Sequence, residues 1–241
     1  MACSLIERDD AGYATPLALA MCVAISVSIT ALMSAATSDL QLARRDLDRQ
    51  RVEYALAGEQ AVAAMTVAQS RGGSRLQWIR SGDGSEVEIV AEAQAQKLGY
   101  DAAADLPATV VQALRIQSPD ALRTRLRTLD DQAVADGVPE TLDDSQLWRL
   151  CAPALISRYG AAEKLVVTKP VLPAAGVSAA ASKVGELWRI RVSGEGWIDE
   201  RTVRFTGDPR RPAAVVERRF FRGEKVGSRC DAVFDAVARA G

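Results

Sequence analysis

The fold is decided by the stretch DAGYATPLALAMCVAISVSITALMSAATSDLQLARRDLDRQ, residues 10–50. Charged residues make up 25% of the 241-residue chain, yet Ala11 to Ser38 contains none. A helix that crosses a bilayer needs roughly 20 mostly apolar residues, and Thr15 to Ala36 meets that length. A core helix of a soluble protein would carry a polar stripe along one face, and this segment carries no charge on any face. The stretch therefore predicts a membrane-inserted helix.

Three interpretations of this apolar segment compete. In the first it is a secretory signal that is cleaved at Ser34–Ala36. Such signals begin basic and have an apolar region of about 7–15 residues, whereas here Glu7, Asp9 and Asp10 outnumber Arg8 and the apolar run is longer. In the second interpretation the segment is a plain membrane anchor. In the third it is the first part of a longer helix.

The residues that follow, SDLQLARRDLDRQRVEYALAGEQAVAAMTVAQS, favour the third interpretation, because they contain no proline and only one glycine, Gly58. Apolar residues recur at helical spacings and form a stripe that suits packing against a folded domain: Leu40, Ala43, Leu47, Tyr54, Ala57, Ala61 and Ala64. A cation followed by glycine, at Arg71-Gly72-Gly73, is typical of a helix end. We expect one continuous helix from about Tyr13 to Ser70, on the order of 85 Å long.

The remainder of the chain predicts strands at both ends and helices between them. Residues 86–91 alternate apolar and charged side chains, which indicates a half-buried strand. A meander of three antiparallel strands with one solvent-exposed face is predicted for residues 186–198, 201–207 and 213–223. Gly, Asp or Pro turns separate the strands. Gly82/Gly84 and Gly194/Gly196 are interpreted as turns. Pro170, Pro173 and Gly176 mark a flexible connection before the meander.

Helices are predicted between residues 106 and 160. DLPATVVQALRI and SPDALRTRLRTLDDQAVADG each open with Asp or Ser and a proline, which is a helix start signal. The tetrapeptide TLDD occurs at Thr128–Asp131 and again at Thr141–Asp144. We interpret these carboxylates as helix-terminal residues rather than as a metal site, because no calcium-binding loop pattern accompanies them.

The four cysteines form no C-x-x-C pair. Cys151 and Cys230 lie in the polar body. If that body is outside the cytoplasm, the two are free to form a disulfide, which would stabilise the fold by roughly 4 kcal/mol. The alternative is two unrelated buried thiols, and the sequence leaves both open.

Several function classes are disfavoured. The chain contains no histidine, which removes the usual general base and the commonest metal ligand. A formal net charge of −1 argues against a general nucleic-acid binder. Neither a phosphate-binding loop nor a nucleophile elbow is present. Trp148, Trp188 and Trp197 are interpreted as core residues, and the pairs Arg210-Arg211 and Arg218-Arg219 as a solvated or partner-facing sheet edge. We therefore predict no catalytic residue, no cofactor and no bound metal.

The N-terminus resembles the class III signal of type IV pilins and pseudopilins: a short polar leader ends in Gly12, and aromatic Tyr13 heads an apolar helix. The resemblance implies that a prepilin peptidase cuts between Gly12 and Tyr13 and methylates the new N-terminus. Pro16 becomes the fourth mature residue, where the first helical turn tolerates it. Most pilins have Glu at the fifth position of the mature chain, where this chain has Leu17. The absence of that Glu resembles the K-type minor pseudopilin of type II secretion, which is a tip subunit.

The body resembles the same family more loosely. In the K subunit an alternating strand ends near a Glu and is followed by a Lys-Leu pair, which here correspond to Glu92 and Lys97-Leu98. The resemblance implies an α+β fold: a long N-terminal transmembrane and amphipathic helix, then a pilin-like antiparallel sheet head with a reduced helical insertion. No calcium ligand is carried over.

The resemblance also implies a domain order: 1–12 leader; 13–38 transmembrane helix; 39–71 amphipathic extension; 72–105 first part of the head; 106–165 helical insertion; 183–241 sheet and C-terminal tail. It implies a single-pass protein of the bacterial inner membrane with its C-terminal domain in the periplasm. Expected partners are other minor and major pseudopilins, the prepilin peptidase, the inner-membrane secretion platform and the lipid bilayer. A minor type IV pilin of the X type and an unrelated membrane-anchored periplasmic binding module are the alternatives.

Overall fold

The structure is a computed structural model that describes residues 11–70, 73–82, 85–128, 143, 145–165, 167, 170–173, 183–208, 210–223 and 230–240. The chain divides into two compact units, Met1–Arg51 and Val52–Gly241. The molecule is α+β: a long N-terminal helix is followed by a five-stranded antiparallel sheet and five shorter helices.

Helix α1, Ala11–Gln69, is unbroken over 59 residues. Among the described residues it is the one helix long and apolar enough to cross a membrane. The side chains of residues 19–50 are exposed in the structure. The hydroxyls of Ser26, Ser28 and Thr30 each donate to the carbonyl four residues earlier at 2.8 Å, which satisfies these polar groups within the apolar segment.

The five strands form one antiparallel sheet in the order β1-β2-β3-β4-β5. Their bounds are Arg75–Gly82 for β1, Ser85–Ala93 for β2, Leu187–Gly194 for β3, Trp197–Asp208 for β4 and Arg211–Arg222 for β5. Strand β2 includes the predicted alternating stretch, and β3 to β5 form the predicted meander. Strand β1 was not predicted, because polar residues dilute its apolar alternation.

The turn predicted at Gly194/Gly196 is present, but it ends β3 at Gly194, whereas the prediction also counted residues 186–198 as one strand. The chain turns at Glu195 and Gly196, whose φ angles are 52° and 74°. Two successive left-handed residues form the tight turn that matches the twist of a hairpin. Trp197 and Ile198 therefore begin β4, and Trp197 lies opposite Gly194.

Five short helices follow β2 or end the chain: α2 Tyr100–Ala103, α3 Ala108–Ala113, α4 Pro119–Thr128, α5 Gln146–Leu155 and α6 Asp231–Ala240. Ser145 caps α5, since its hydroxyl accepts from the Trp148 amide at 3.4 Å. The carboxylate of Asp143 accepts from the Ser145 amide at 2.8 Å, as expected for a residue at a helix start. Of the first TLDD, Leu129 to Asp131 lie outside the described residues.

The second unit contains two hydrophobic cores. In the sheet core, the last four turns of α1 pack on one face of the sheet; its largest members include Leu56, Val67, Leu76, Ile89, Trp188, Ile190 and Phe205. In the helical core, α2 to α6 pack on one another; its members include Leu98, Val110, Leu114, Leu126, Trp148, Ile156 and Val233. Trp148 and Trp188 are thus core residues, as predicted.

The face of α1 that packs on the sheet is not the predicted one. The buried face contains Leu56, Gln60, Ala63 and Val67. Of the predicted stripe, Ala64 is buried, whereas Ala61 is exposed and Tyr54 is 78% exposed. The buried face includes Gln60 because its amide donates to the sheet carbonyls of Ile190 and Asp199 at 2.9 and 2.7 Å. A periodicity count assigns such a residue to the polar face.

The C-terminal end of α1 is stabilised from a distance in sequence. Lys183 Nζ donates to the carbonyl of Val67 at 2.7 Å and to the hydroxyl of Ser70 at 2.9 Å, and it lies 4.6 Å from the centre of the Trp188 ring. A cation at a helix C-terminus is favoured by the helix dipole. Burial lowers the pKa of Lys183, and Glu186 partly opposes that effect. Arg71 and Gly72, predicted to end the helix, lie outside the described residues.

Candidate functional site

The predicted processing residues Gly12 and Tyr13 and the predicted assembly-helix residues Pro16 and Leu17 all lie within the first two turns of α1. In an α-helix the carbonyl of residue i accepts from the amide of residue i+4. Residue 16 is a proline and has no amide hydrogen, so it cannot donate to the carbonyl of Gly12. The carbonyl at the predicted cleavage site therefore lacks its usual helical donor.

A second apolar stripe of α1 lies on the side away from the sheet. Its exposed members in the second unit are Tyr54, Ala55, Gly58, Ala61, Val62 and Met65. Gly58 stands at the middle of this stripe, and a Cβ added there would meet no atom within 4 Å. Glycine in a helix interior costs about 1 kcal/mol relative to alanine, and no packing within the described residues requires it. A small residue at this position suits the close approach of another helix.

The other face of the sheet carries a buried ionic cluster, the second site that the structure assembles. The cations and carboxylates of this ionic cluster are Arg75, Glu92, Lys97, Arg189, Arg191, Glu200 and Arg219. The strand register places Arg75, Glu92 and Arg189 opposite one another across β1, β2 and β3. It likewise aligns Arg191 with Glu200 across β3 and β4. Unlike charges on neighbouring strands attract, so the register fixes the pairing.

The centre of the ionic cluster is Glu92, which is 5% exposed. Its carboxylate accepts from Lys97 Nζ at 2.7 Å and from Arg189 Nη2 at 2.9 Å, and Arg75 Nε lies 3.4 Å away. Burial raises the pKa of Glu92, but Lys97, Arg189 and Arg75 outweigh it and hold that pKa well below its usual range. Burial and Arg189 lower the pKa of Lys97 to about 7, against the opposing effect of Glu92.

Lys97 joins the sheet to the helical core. Besides its contact with Glu92, its ammonium donates to the carbonyl of Pro153 in α5 at 2.6 Å. Its neighbour Leu98 is buried in the helical core, and the Leu98 amide donates to the carbonyl of Leu155 at 3.1 Å. The Glu92 and Lys97-Leu98 positions singled out in the sequence thus form one connection between the two cores.

The prediction of a wet sheet face is wrong around this ionic cluster. The side chains of Arg189 and Arg191 are each 12% exposed. They are buried because Glu92 and Glu200 neutralise them and because α5 and α6 contribute residues to the space above them. The alternation of Arg with Trp, Ile and Val in β3 shows that the sheet has two chemically different faces. It does not reveal that other elements of the chain cover both of them.

Of the two arginine pairs at the sheet edge, Arg210-Arg211 is exposed, as predicted, whereas Arg218-Arg219 has partners within the chain. Arg218 donates to Glu53 of α1 at 2.8 Å and lies 3.5 Å from buried Asp199. Arg219 lies 3.4 Å from Glu200. Trp197, the third tryptophan, is half-buried and stacks on Phe220 with ring centres 4.9 Å apart.

Cys151 and Cys230 are joined by a disulfide bond, with 5.6 Å between their Cα atoms and a sequence separation of 79. Both cysteines are fully buried in the helical core, so the bond fixes α6 to α5. Cys22 in α1 is a free, exposed cysteine.

Among the described residues, no group of three or more His, Cys, Asp or Glu side chains is arranged to hold a metal ion. Comparisons with protein-family models, with curated proteins and with solved structures returned no match to this chain. Helix α1 and the disulfide are the features of the described residues that bear most directly on function.

Proposed function

We propose that this chain is a K-type minor pseudopilin of type II secretion, which joins the tip of a periplasmic pseudopilus and supports protein export across the outer membrane. Its apolar helix would wait in the inner membrane and then pack against the helices of sibling subunits. It would act by assembly and not as an enzyme.

The main observation in support of this proposal is that helix α1 is unbroken from Ala11 to Gln69. Its first part is apolar and exposed, and its last four turns form half of the sheet core. A signal peptide that is removed after the apolar region would not need to be continuous with a core helix. The combination with an antiparallel sheet is consistent with a pilin-like layout.

The exposed stripe around Gly58 supports assembly through this helix. Exposed apolar surface on a folded unit commonly marks an interaction site. Small residues such as Ala55, Gly58 and Ala61 allow two helix backbones to approach closely. Tyr54, Val62 and Met65 supply apolar area around them.

The disulfide supports a periplasmic location for the second unit. Disulfides form and persist in oxidising compartments and are rare in the cytoplasm. The Cys151–Cys230 bond lies in the core of the helical region, so its formation is coupled to folding there.

Leu17 supports a place at the tip. In the pilin family, Glu at the fifth mature position pairs with the terminal amine of a neighbouring subunit. A subunit with Leu17 cannot make that pair, and a tip subunit has no neighbour that requires it.

The test is mass spectrometry of the N-terminus of the chain purified from membranes. We expect a chain that begins at Tyr13 with a methylated amine. An intact Met1, or a start at Thr37 after signal cleavage, would contradict the proposal. A Gly12→Val variant provides the matched control, because it should accumulate uncut and fail to support secretion. Loss of surface pili with unchanged secretion in a deletion strain would instead favour a minor type IV pilin.

A further inference from the structure

A cavity of about 270 Å³ lies between the charged face of the sheet and the helices α5 and α6. The sheet contributes polar walls that include Arg75, Arg189 and Arg191, and α6 contributes the carboxylate of Asp231. Its apolar walls include Val90, Leu150 and Phe234. We call this space the Arg75 cavity. It lies wholly within the second unit and is independent of the membrane helix.

Arg75 is held in a geometry that suits an incoming ligand. Its guanidinium lies over the Phe234 ring, 4.6 Å from the ring centre. Stacking of this kind fixes the plane of the guanidinium and leaves its N–H edge directed sideways. Its Nε atom is buried and has no hydrogen-bond acceptor within the described part of the chain, although Glu92 lies 3.4 Å away as an ion pair.

The carboxylates that line the Arg75 cavity are engaged elsewhere. Glu92 accepts from Lys97 and Arg189. Glu88 accepts from Gln77 Nε2 at 2.7 Å. Asp231 stands in the first turn of α6, where the helix dipole favours a negative charge. The lining thus contains three cations and three carboxylates. Glu92 and Glu88 accept from other donors and Asp231 stands at a helix N-terminus, whereas the Arg75 Nε–H makes only the 3.4 Å ion-pair contact with Glu92 and no hydrogen bond within the described residues.

We propose that the Arg75 cavity binds a carboxylate carried on a short aliphatic stem. A guanidinium presents N–H groups in a fork that matches a carboxylate in a bidentate manner. Known small-molecule sites have volumes of about 300–1,000 Å³, so this cavity takes a ligand of only a few heavy atoms. Val90, Leu150 and Phe234 would contact the stem. Two kinds of molecule carry such a carboxylate: a free small dicarboxylate, and a partner polypeptide with a glutamate side chain.

The test is calorimetric titration of the full chain in detergent micelles with two probes. One probe is succinate, and the other is the peptide acetyl-Ala-Ala-Glu-Ala-Ala-amide, with the matching Gln peptide as its control. We expect saturable binding of succinate or of the Glu peptide, and none of the Gln peptide. Binding of succinate alone identifies a small-molecule ligand, and binding of the Glu peptide identifies a protein segment. Absence of binding by both probes up to about 50 mM would overturn the proposal, since a bidentate contact is expected to act well below that concentration.

Three variants make the test specific. Arg75→Gln should weaken binding at least about tenfold, as expected for loss of a charge-assisted hydrogen bond. Ala154→Leu adds volume to the cavity wall, keeps every charge and should weaken binding by a similar factor. Arg80→Gln is the matched control, because Arg80 lies on the same strand but pairs with Glu59. Equal weakening by Arg75→Gln and Arg80→Gln would show a nonspecific charge effect and contradict the proposal. If Arg75→Gln fails to fold, the binding measured with Ala154→Leu tests the proposal instead.

Discussion

Pro16 bears on the cleavage that we propose between Gly12 and Tyr13. Because it leaves the Gly12 carbonyl without its helical donor, Pro16→Ala should restore that hydrogen bond and stabilise the uncut helix. With a net value of roughly 1 kcal/mol for the bond, cleavage by a prepilin peptidase should slow about fivefold. The measurement is the rate at which the purified precursor is converted. Leu17→Ala is the control, since it leaves the backbone donors unchanged. Equal or faster cleavage of Pro16→Ala would refute this role.

The carboxylate of Glu200 predicts a pH dependence. Burial raises its pKa, but Arg189, Arg191 and Arg219 outweigh burial and lower the pKa from 4.5 to about 2. Between these values the unfolded chain binds more protons than the folded chain, so the free energy of unfolding falls as the pH falls. The contribution of Glu200 is complete above about pH 4.5 and is lost toward pH 2.

Replacement of Glu200 by Gln tests this dependence. Breaking a buried ion pair leaves uncompensated cations and typically costs about 3–5 kcal/mol. Glu200→Gln should therefore lower the free energy of unfolding by about 3 kcal/mol at pH 7, and the difference from the wild type should shrink as the pH approaches 2. Urea unfolding between pH 2 and pH 7 provides the measurement. A difference that stays constant over this range would exclude Glu200 as the titrating group.

In helix α1, substitutions of Gly58 on the exposed stripe should affect stability and association differently. Gly58→Ala should raise the free energy of unfolding of the isolated chain by about 1 kcal/mol, because it removes the cost of glycine in a helix. Gly58→Leu should also fold, since a Cβ at this position meets open space. It should, however, abolish the association of the chain with sibling subunits.

Disulfide trapping through a Val62→Cys substitution can measure that association in membranes. Gly58→Ala is the control for altered helix propensity. Association of Gly58→Leu at the wild-type level would show that the exposed stripe is not the contact surface.

The disulfide between α5 and the residue before α6 predicts a stability effect of known size. Removing a bond that spans 79 residues of sequence should cost about 4 kcal/mol, from the entropy that the unfolded chain regains. The double variant Cys151→Ala and Cys230→Ala should therefore unfold at a lower urea concentration. Cys22→Ala should have no effect, because Cys22 is free and exposed in α1. A double variant as stable as the wild type would contradict the structural role of the bond.

At the scale of the whole molecule, local sequence patterns predicted most helices and strands. They did not predict which faces of these elements are buried by other parts of the chain. The apolar run and its proline-free continuation were enough to predict α1 from about Tyr13 to Ser70, and the observed helix is Ala11–Gln69. The meander of β3 to β5 followed from alternation and turns. Strand β1 was missed because the alternation of Leu76 and Trp78 with polar residues is short and reverses its phase at Ile79 and Arg80.

The ionic cluster could be predicted only in part. Glu92 and Lys97 are five residues apart in sequence, and the resemblance of this stretch to the K subunit singled them out. Their partners Arg189 and Glu200 follow about a hundred residues later, and only the strand register brings them together. The burial of Gln60 was likewise hidden, since it depends on sheet carbonyls that a helical periodicity does not include.

The sheet core draws on distant parts of the chain, and this has a consequence for biogenesis. Leu56 and Val67 of α1 are synthesised early, whereas Trp188, Ile190 and Phe205, which cover them, are synthesised last. At a synthesis rate of about 5–20 residues per second, the inner side of α1 stays uncovered for on the order of ten seconds. During that interval these apolar side chains lack their partners, which exposes the nascent chain to aggregation.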